Sequence, residues 1–396
     1  MSTRENNRGI KHIVGTRLFA QLAENFGWSI GGASLAYAIS GTNGVISLTI
    51  SMLGLAMFVT FAFNKLLVET TPEWIRRALL WRAASFVSMI LGLYFWNIDL
   101  VVIGGACSGV YVGIFWPSFY RMFGNEKFKK WYSFEKFSGV ILTILSGISL
   151  AVIGVGFVLS ISFLSVIIAF LISYRIQGPE STNDVYLDSR TPSSVSRTDL
   201  IALFEGGFNS STNLTRSLAI LSSMVSISNI PAVVSLGLVI ASSLSIGALL
   251  SWLSDWVLSD RTTVSVGMLL CLLSCMLMMK EGTWLQGAIA LSCGSSIIFP
   301  VLKNEVDSNY LIMGLAGRSF REYRRNTGRL LFGLVTSFAW LYNPTFIVTT
   351  VVILVPLCLL ILCYFSDKFS LPRKNLEGKI EKSTINEKEV ILRLEN

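Results

Sequence analysis

The sequence predicts an all-α polytopic membrane protein: twelve transmembrane helices in two six-helix pseudo-repeats. Three observations carry this. The chain divides into apolar stretches long enough to cross a bilayer, which takes about 20 mostly apolar residues. The gaps between them alternate, one rich in Lys and Arg and the next nearly devoid of both. Short matching segments recur in order in the two halves of the chain. Composition agrees, since 52% of the 396 residues are hydrophobic and only 14% are charged, against about 25% in a soluble domain.

The spans follow in order. The first six cover 18–40, 44–68, 78–96, 100–120, 137–154 and 156–176; the second six cover 199–220, 231–253, 263–279, 284–302, 328–346 and 347–365. The fifth and sixth share one apolar run, as do the last two. Each run is too long for one crossing, so a turn is expected at Gly154 or Gly156 in the first and at Asn343-Pro344 in the second. Long continuous runs without period-2 alternation point to helices rather than a β-barrel.

Charge sets the topology. Apart from Lys280 and Arg216, all 32 Lys and Arg residues lie in the termini or in and beside every second gap. Positive residues near spans stay on the cytoplasmic side. Both termini are therefore expected in the cytoplasm, with the protein in the cell membrane. The same bias accounts for the net charge of +8. The Arg-rich stretch from Lys303 to Arg329 reads as a cytoplasmic loop able to meet lipid phosphates.

The expected organisation is a bundle over 1–176, a cytoplasmic linker over 177–198, a second bundle over 199–365 and a charged cytoplasmic tail over 366–396. The linker is enriched in Pro, Ser, Thr and Asp. The halves match weakly but in register. Leu22-Ala23-Glu24 stands against Leu203-Phe204-Glu205, and Ile114-Phe115-Trp116-Pro117 against Ile297-Ile298-Phe299-Pro300. Phe134 to Gly139 stands against Tyr323 to Gly328. An even span count per half gives both the same orientation, with their axis along the membrane normal.

Several functions are excluded on residue supply. His12 is the only histidine, and the six cysteines all lie in apolar stretches without a C-x-x-C pair. Neither a metal nor a disulfide is expected, and no cofactor. No Walker-type phosphate loop is present, and no Ser/His/Asp set. The chain is thus not expected to be an enzyme. No basic stripe interleaved with aromatics suggests nucleic acid. The expected partners are a small-molecule substrate and membrane lipid, with the chain functional as a monomer.

Ionisable and amide side chains inside a span are costly and therefore mark candidate sites. In the seventh span Glu205, Asn209, Asn213 and Arg216 fall within an arc of roughly 80° at helical spacing. In the first span Glu24, Asn25 and Trp28 cluster on one side with Gln21, and the repeat pairs Glu24 with Glu205. A carboxylate on a water-filled path can take up a proton from one side and release it to the other, so Glu24 and Glu205 are candidates for proton coupling. Asn25, Trp28, Trp116, Asn209, Asn213 and Arg216 are candidates for substrate contact, Arg216 toward an anionic group. Structural alternatives stay open: the carboxylates can brace neighbouring helices, and Arg216 can snorkel toward the interface. Aromatics on the fourth span, Tyr111, Phe115, Trp116 and Tyr120, form a second set beside Pro117.

With these residues in place, the chain resembles the major facilitator superfamily over nearly all of residues 15–366. The family's Gly-x-x-x-Asp-Arg-type loop has a counterpart in Ser251 to Asp255 with Arg261 further on, keeping the Asp and a later Arg but not the glycine spacing. A weaker counterpart runs from Phe63-Asn64-Lys65 to Arg76-Arg77. Asn326-Thr327-Gly328-Arg329 resembles an Asn-x-Gly-Arg motif at the eleventh helix of some members. The resemblance implies that the first and seventh helices line a central cavity and that Asp255, Arg261 and Arg329 brace one access state. It implies secondary transport of a small solute by alternating access, with proton coupling as one mode. A flippase or exporter of lipid-like, amphiphilic substrates is the alternative, followed by a polytopic membrane enzyme or sensor.

Overall fold

The structure is a computed structural model. It describes residues 3–66, 72–122, 138–139, 141–142, 144–150, 152–176, 197–225, 260–280, 282–312, 314–342, 353 and 355–359. Apart from a few turn positions, every described residue is helical. Four stretches among them are long and apolar enough to cross a membrane: His12–Phe63, Pro72–Phe95, Ile98–Phe119 and Val155–Ser173. Thr262–Met278 and Trp284–Ile298 are shorter apolar helices. Helices are called below by the span each was expected to form.

The first span begins as an α-helix at Thr3–Ala23 and widens into a π-helix over Glu24–Gly32. It resumes as Ala33–Leu66, which is bent at Ser40 and Gly41 into the first and second spans. Gly41 has φ +59. This is the left-handed region that glycine enters without steric cost, and it lies at the gap that separates the two spans in the sequence. The wide turn is wedged into the bundle. A Cβ on Gly27 would collide with the Phe86 ring and the Ser162 hydroxyl, so only glycine lets the third and sixth spans approach here.

The third span, Pro72–Phe95, ends at Trp96, whose φ is +52, and the fourth runs from Ile98 to Met122. The Asn97 side chain caps the fourth, its Oδ1 accepting from the backbone N–H of Asp99 at 2.8 Å and Leu100 at 3.4 Å. Pro117 lies inside this helix. The sixth span, Val155–Ser173, starts after Gly154 with φ +103, so the turn in the shared apolar run falls on Gly154 while Gly156 is helical. The seventh span is Arg197–Val225 and the ninth is Asp260–Met278.

One expectation is corrected here. The stretch from Lys303 to Arg329 is not a loop. The tenth helix runs Trp284–Ile312 and the eleventh Gly314–Tyr342, with position 313 between them. Both helices continue past their apolar portions because backbone hydrogen bonding does not require apolar side chains. The first helix likewise starts at Thr3, well before the apolar run. The turn expected at Asn343-Pro344, the eighth span, the linker at 177–196 and the tail lie outside the described residues.

The second span packs on both the fourth and the eleventh, which also touch each other; the seventh packs on the tenth and eleventh. The crossing of the seventh and eleventh is close. A Cβ on Gly328 would strike the Leu203 carbonyl, and one on Gly206 the Arg325 carbonyl. Gly139, the repeat counterpart of Gly328, lies against the first span too, though there a Cβ would meet the side-chain amide of Gln21 rather than backbone. A belt of exposed apolar side chains, among them Leu164, Leu171, Leu269, Met276 and Phe338, covers the outside, where lipid tails would replace water.

Candidate functional site

Among the described residues, three polar groups lie within this apolar bundle. The first surrounds Glu24, where the first span widens. Arg17 donates from Nη1 to Glu24 Oε2 at 2.9 Å, and the Tyr111 hydroxyl donates to Glu24 Oε1 at 2.8 Å. The Arg17 side chain is 4% exposed and that of Glu24 22%, so the carboxylate retains access to solvent while its counter-ion does not. The Arg17 guanidinium lies 4.4 Å from the Trp116 ring centre, which occupies that indole face with a cation.

Arg82 joins this group from the third span. It is 1% exposed and donates from Nη1 to the Ser108 hydroxyl. Its guanidinium lies 4.8 Å from the Phe86 ring centre, 5.1 Å from Tyr111 and 5.7 Å from Trp28. Three rings and a hydroxyl therefore enclose this cation. Sequence reasoning placed Arg82 at the edge of a cytoplasmic gap. The available signal was its position a full turn inside an apolar segment, after Ala78-Leu79-Leu80-Trp81. Asn25 is turned toward the fifth span, its Nδ2 donating to the Gly139 carbonyl at 3.5 Å. Gln21 accepts from the Ser138 hydroxyl at 3.0 Å.

The second group is the expected stripe on the seventh span. Asn213 Nδ2 donates to Asn209 Oδ1, and Arg216 Nη2 donates to Asn213 Oδ1 at 2.9 Å. Asn213 is exposed, while Asn209 and Arg216 are half-buried. A ladder of amides and a guanidinium at this depth is incompatible with hydrocarbon contact and requires water or polar neighbours.

Glu205 departs from that stripe. It is fully buried and lies in the crossing with the eleventh span. Its Oε1 is 3.0 Å from Arg325 Nη2 and its Oε2 3.9 Å from Arg321 Nη2; Glu322 Oε1 stands 3.6 Å from Arg325 Nη1 and 4.0 Å from Arg321 Nη1. Two arginines and two glutamates make a balanced quartet in which every charge has an opposite neighbour. Sequence reasoning missed these partners, having assigned both arginines to a loop.

The third group bridges the chain's two halves. Asn326 Nδ2 donates to Thr60 Oγ1 at 3.0 Å, from the eleventh span to the second. Arg329 Nη1 donates to Asn326 Oδ1 at 3.0 Å. Phe61 and Tyr323 meet nearby with ring centres 5.4 Å apart and planes tilted by 42°. Asp255 lies outside the described residues, and nothing is described of the Arg261 side chain.

These helices, apolar outside and polar at chosen interior points, define an all-α polytopic membrane protein. Its fold is similar to that of solved membrane transporters, among them one described as a major facilitator superfamily transporter. A bacterial homologue of the iron transporter ferroportin in an outward-facing state is similar at TM-score 0.62 and 13% identity, covering 90% of this chain and 97% of that one. The E. coli fucose:proton symporter FucP is similar at TM-score 0.59 and 13% identity, over 89% of this chain and 97% of the other. The nucleoside transporter NupG is similar at TM-score 0.57 and 12% identity, over 90% and 98%. No protein-family model matches the sequence, and no curated protein does.

Proposed function

We propose that the chain is a secondary transporter that moves a small solute across the cell membrane by alternating access, with both termini in the cytoplasm. Six spans before the linker and six after it form two bundles that rock about a central site. The observation that carries this reading is the bridge of Asn326, Thr60, Phe61 and Tyr323. It ties the two sides together near the end of the second span and in the first half of the eleventh. The charge distribution assigns that end to the cytoplasm. The amide ladder of the seventh span extends away from it and carries an exposed Asn213. A path closed at one end and lined with polar groups beyond the closure is what alternating access requires of one of its states.

The residues divide by environment. Glu24 suits proton coupling: it keeps partial access to solvent, and protonation would weaken both its bond from Arg17 and its bond from Tyr111. Glu205 suits bracing, because it is fully buried and paired with two arginines of the eleventh span. Asn209, Asn213 and Arg216 suit substrate contact. Trp116, Trp28 and Asn25 shape the wall next to Glu24. Arg329 supports the bridge through Asn326, and Asp255 with Arg261 would brace the second half.

The test is counterflow in proteoliposomes together with cysteine accessibility at position 213. Accessibility of that cysteine from opposite faces under opposite gradients supports the proposal. Labelling from one face only, whatever the gradient, would defeat it.

A further inference from the structure

Among the described residues Arg216 stands without a carboxylate. Arg17 has Glu24; Arg321 and Arg325 have Glu205 and Glu322. Among the described residues no acid lies within ion-pair distance of Arg216. Its bond among the described residues is to the neutral amide of Asn213, and its Nε is buried with no hydrogen-bond partner among them. Arg82 also lacks a carboxylate at bonding distance among the described residues, but it is 1% exposed, with three rings about its guanidinium and a bond to Ser108. Arg216 differs because its neighbour Asn213 is exposed. It is a cation at the edge of an open surface, about two-thirds of the way along its helix from the closed end.

A guanidinium out of bulk water needs a counter-charge, and its planar fork fits the two oxygens of a carboxylate or phosphate. The amides below it are ordered by the same chain of bonds. Asn213 Oδ1 is engaged by Arg216 and Asn209 Oδ1 by Asn213, so both amide oxygens already accept a bond and the Asn209 amide nitrogen is the donor at the end of the ladder. The face thus offers donors and positive charge with its acceptors occupied.

We infer that the solute carries an oxyanion, a carboxylate or a phosphate, and that Arg216 is its charge partner, with Asn213 and Asn209 positioning it. This rests on the transport reading for the word solute; the oxyanion site itself does not. The same chemistry is available from a soluble anion or from a lipid headgroup, and the first is the assignment made here.

The experiment is thermal unfolding of the full chain in detergent, with succinate, lactate and inorganic phosphate as probes and glucose and choline as controls. Anions should raise Tm by several degrees in the wild type and not in Arg216→Gln, while Arg216→Lys keeps part of the rise. Asn213→Asp supplies an internal carboxylate beside Arg216, so it should raise Tm in the absence of any probe and remove the response to all of them. Equal responses in wild type and Arg216→Gln, or an Asn213→Asp variant no more stable than wild type, would overturn the site. Stabilisation seen only with vesicles of anionic phospholipid, and with no soluble anion, would overturn the solute assignment. An Arg216-dependent rise in Tm without counterflow would instead sink the transport reading and leave the oxyanion site standing.

Discussion

The amide of Asn326 donates to the hydroxyl of Thr60 across 3.0 Å, and that hydroxyl in turn donates to the Ala56 carbonyl at 2.6 Å. With Arg329 donating to Asn326, one directed line of hydrogen bonds runs from a cation on the eleventh span to the backbone of the second. Both Asn326 and Thr60 are buried, so water does not compete for the bridge.

Thr60→Val removes the acceptor and keeps the shape. A net hydrogen bond contributes about 1 kcal/mol, so the closed state should lose roughly five-fold in population. The measurement is labelling of a cysteine at position 213 from the cytoplasmic face, which should speed up. An unchanged labelling rate would remove the bridge from the gate.

Glu24→Gln keeps a hydrogen-bonding side chain but removes the charge that Arg17 and Tyr111 address. Uptake driven by a proton gradient should fall at least ten-fold, while solute exchange without a gradient persists. Proton-driven uptake equal to wild type would assign coupling elsewhere.

Glu205→Gln leaves the buried Arg321 and the largely buried Arg325 with Glu322 beside them. Breaking one side of a buried pair costs about 3–5 kcal/mol. Thermal unfolding in detergent should show a large loss of stability, and any loss of transport should track the loss of folded protein. A stable but transport-dead variant would return Glu205 to the coupling mechanism.

Gly328→Ala places a methyl group against the Leu203 carbonyl. Backbone cannot yield as a flexible side chain can, so the seventh and eleventh spans must separate. Overpacking of this kind costs about 1–3 kcal/mol. Gly54→Ala, where a Cβ meets nothing within 4 Å, is the control and should be neutral.

What the sequence revealed follows from what is local. The break at Gly154 was legible because a glycine stands inside an apolar run too long for one crossing, and that at Gly41 because it falls in the short gap between the spans 18–40 and 44–68; both glycines have positive φ. The stripe from Asn209 to Arg216 was legible because helical spacing alone fixes which side chains can bond along one helix. The partners of Glu205 were not. They depend on the register of the eleventh span against the seventh, which two glycines set by close approach and no charge pattern announces. Reading 303–329 as a loop hid them further, since Arg321 and Arg325 share a helix face only if the helix begins before the apolar run. Arg82 was hidden for a related reason: inside-positive counting records that an arginine is near a membrane edge, not that it turns into the bundle.

The π-helical turns of Glu24–Gly32 spend more residues per unit of axial length than the α-helix on either side. The first span therefore stores surplus chain at the level of Glu24. Deleting one residue between Gly27 and Gly32 should be absorbed by relaxation to ordinary α spacing, whereas the same deletion in the third span would shift Arg82 away from Ser108. A store of slack beside a charged carboxylate also lets the upper and lower parts of one rod turn relative to each other without either leaving its neighbours.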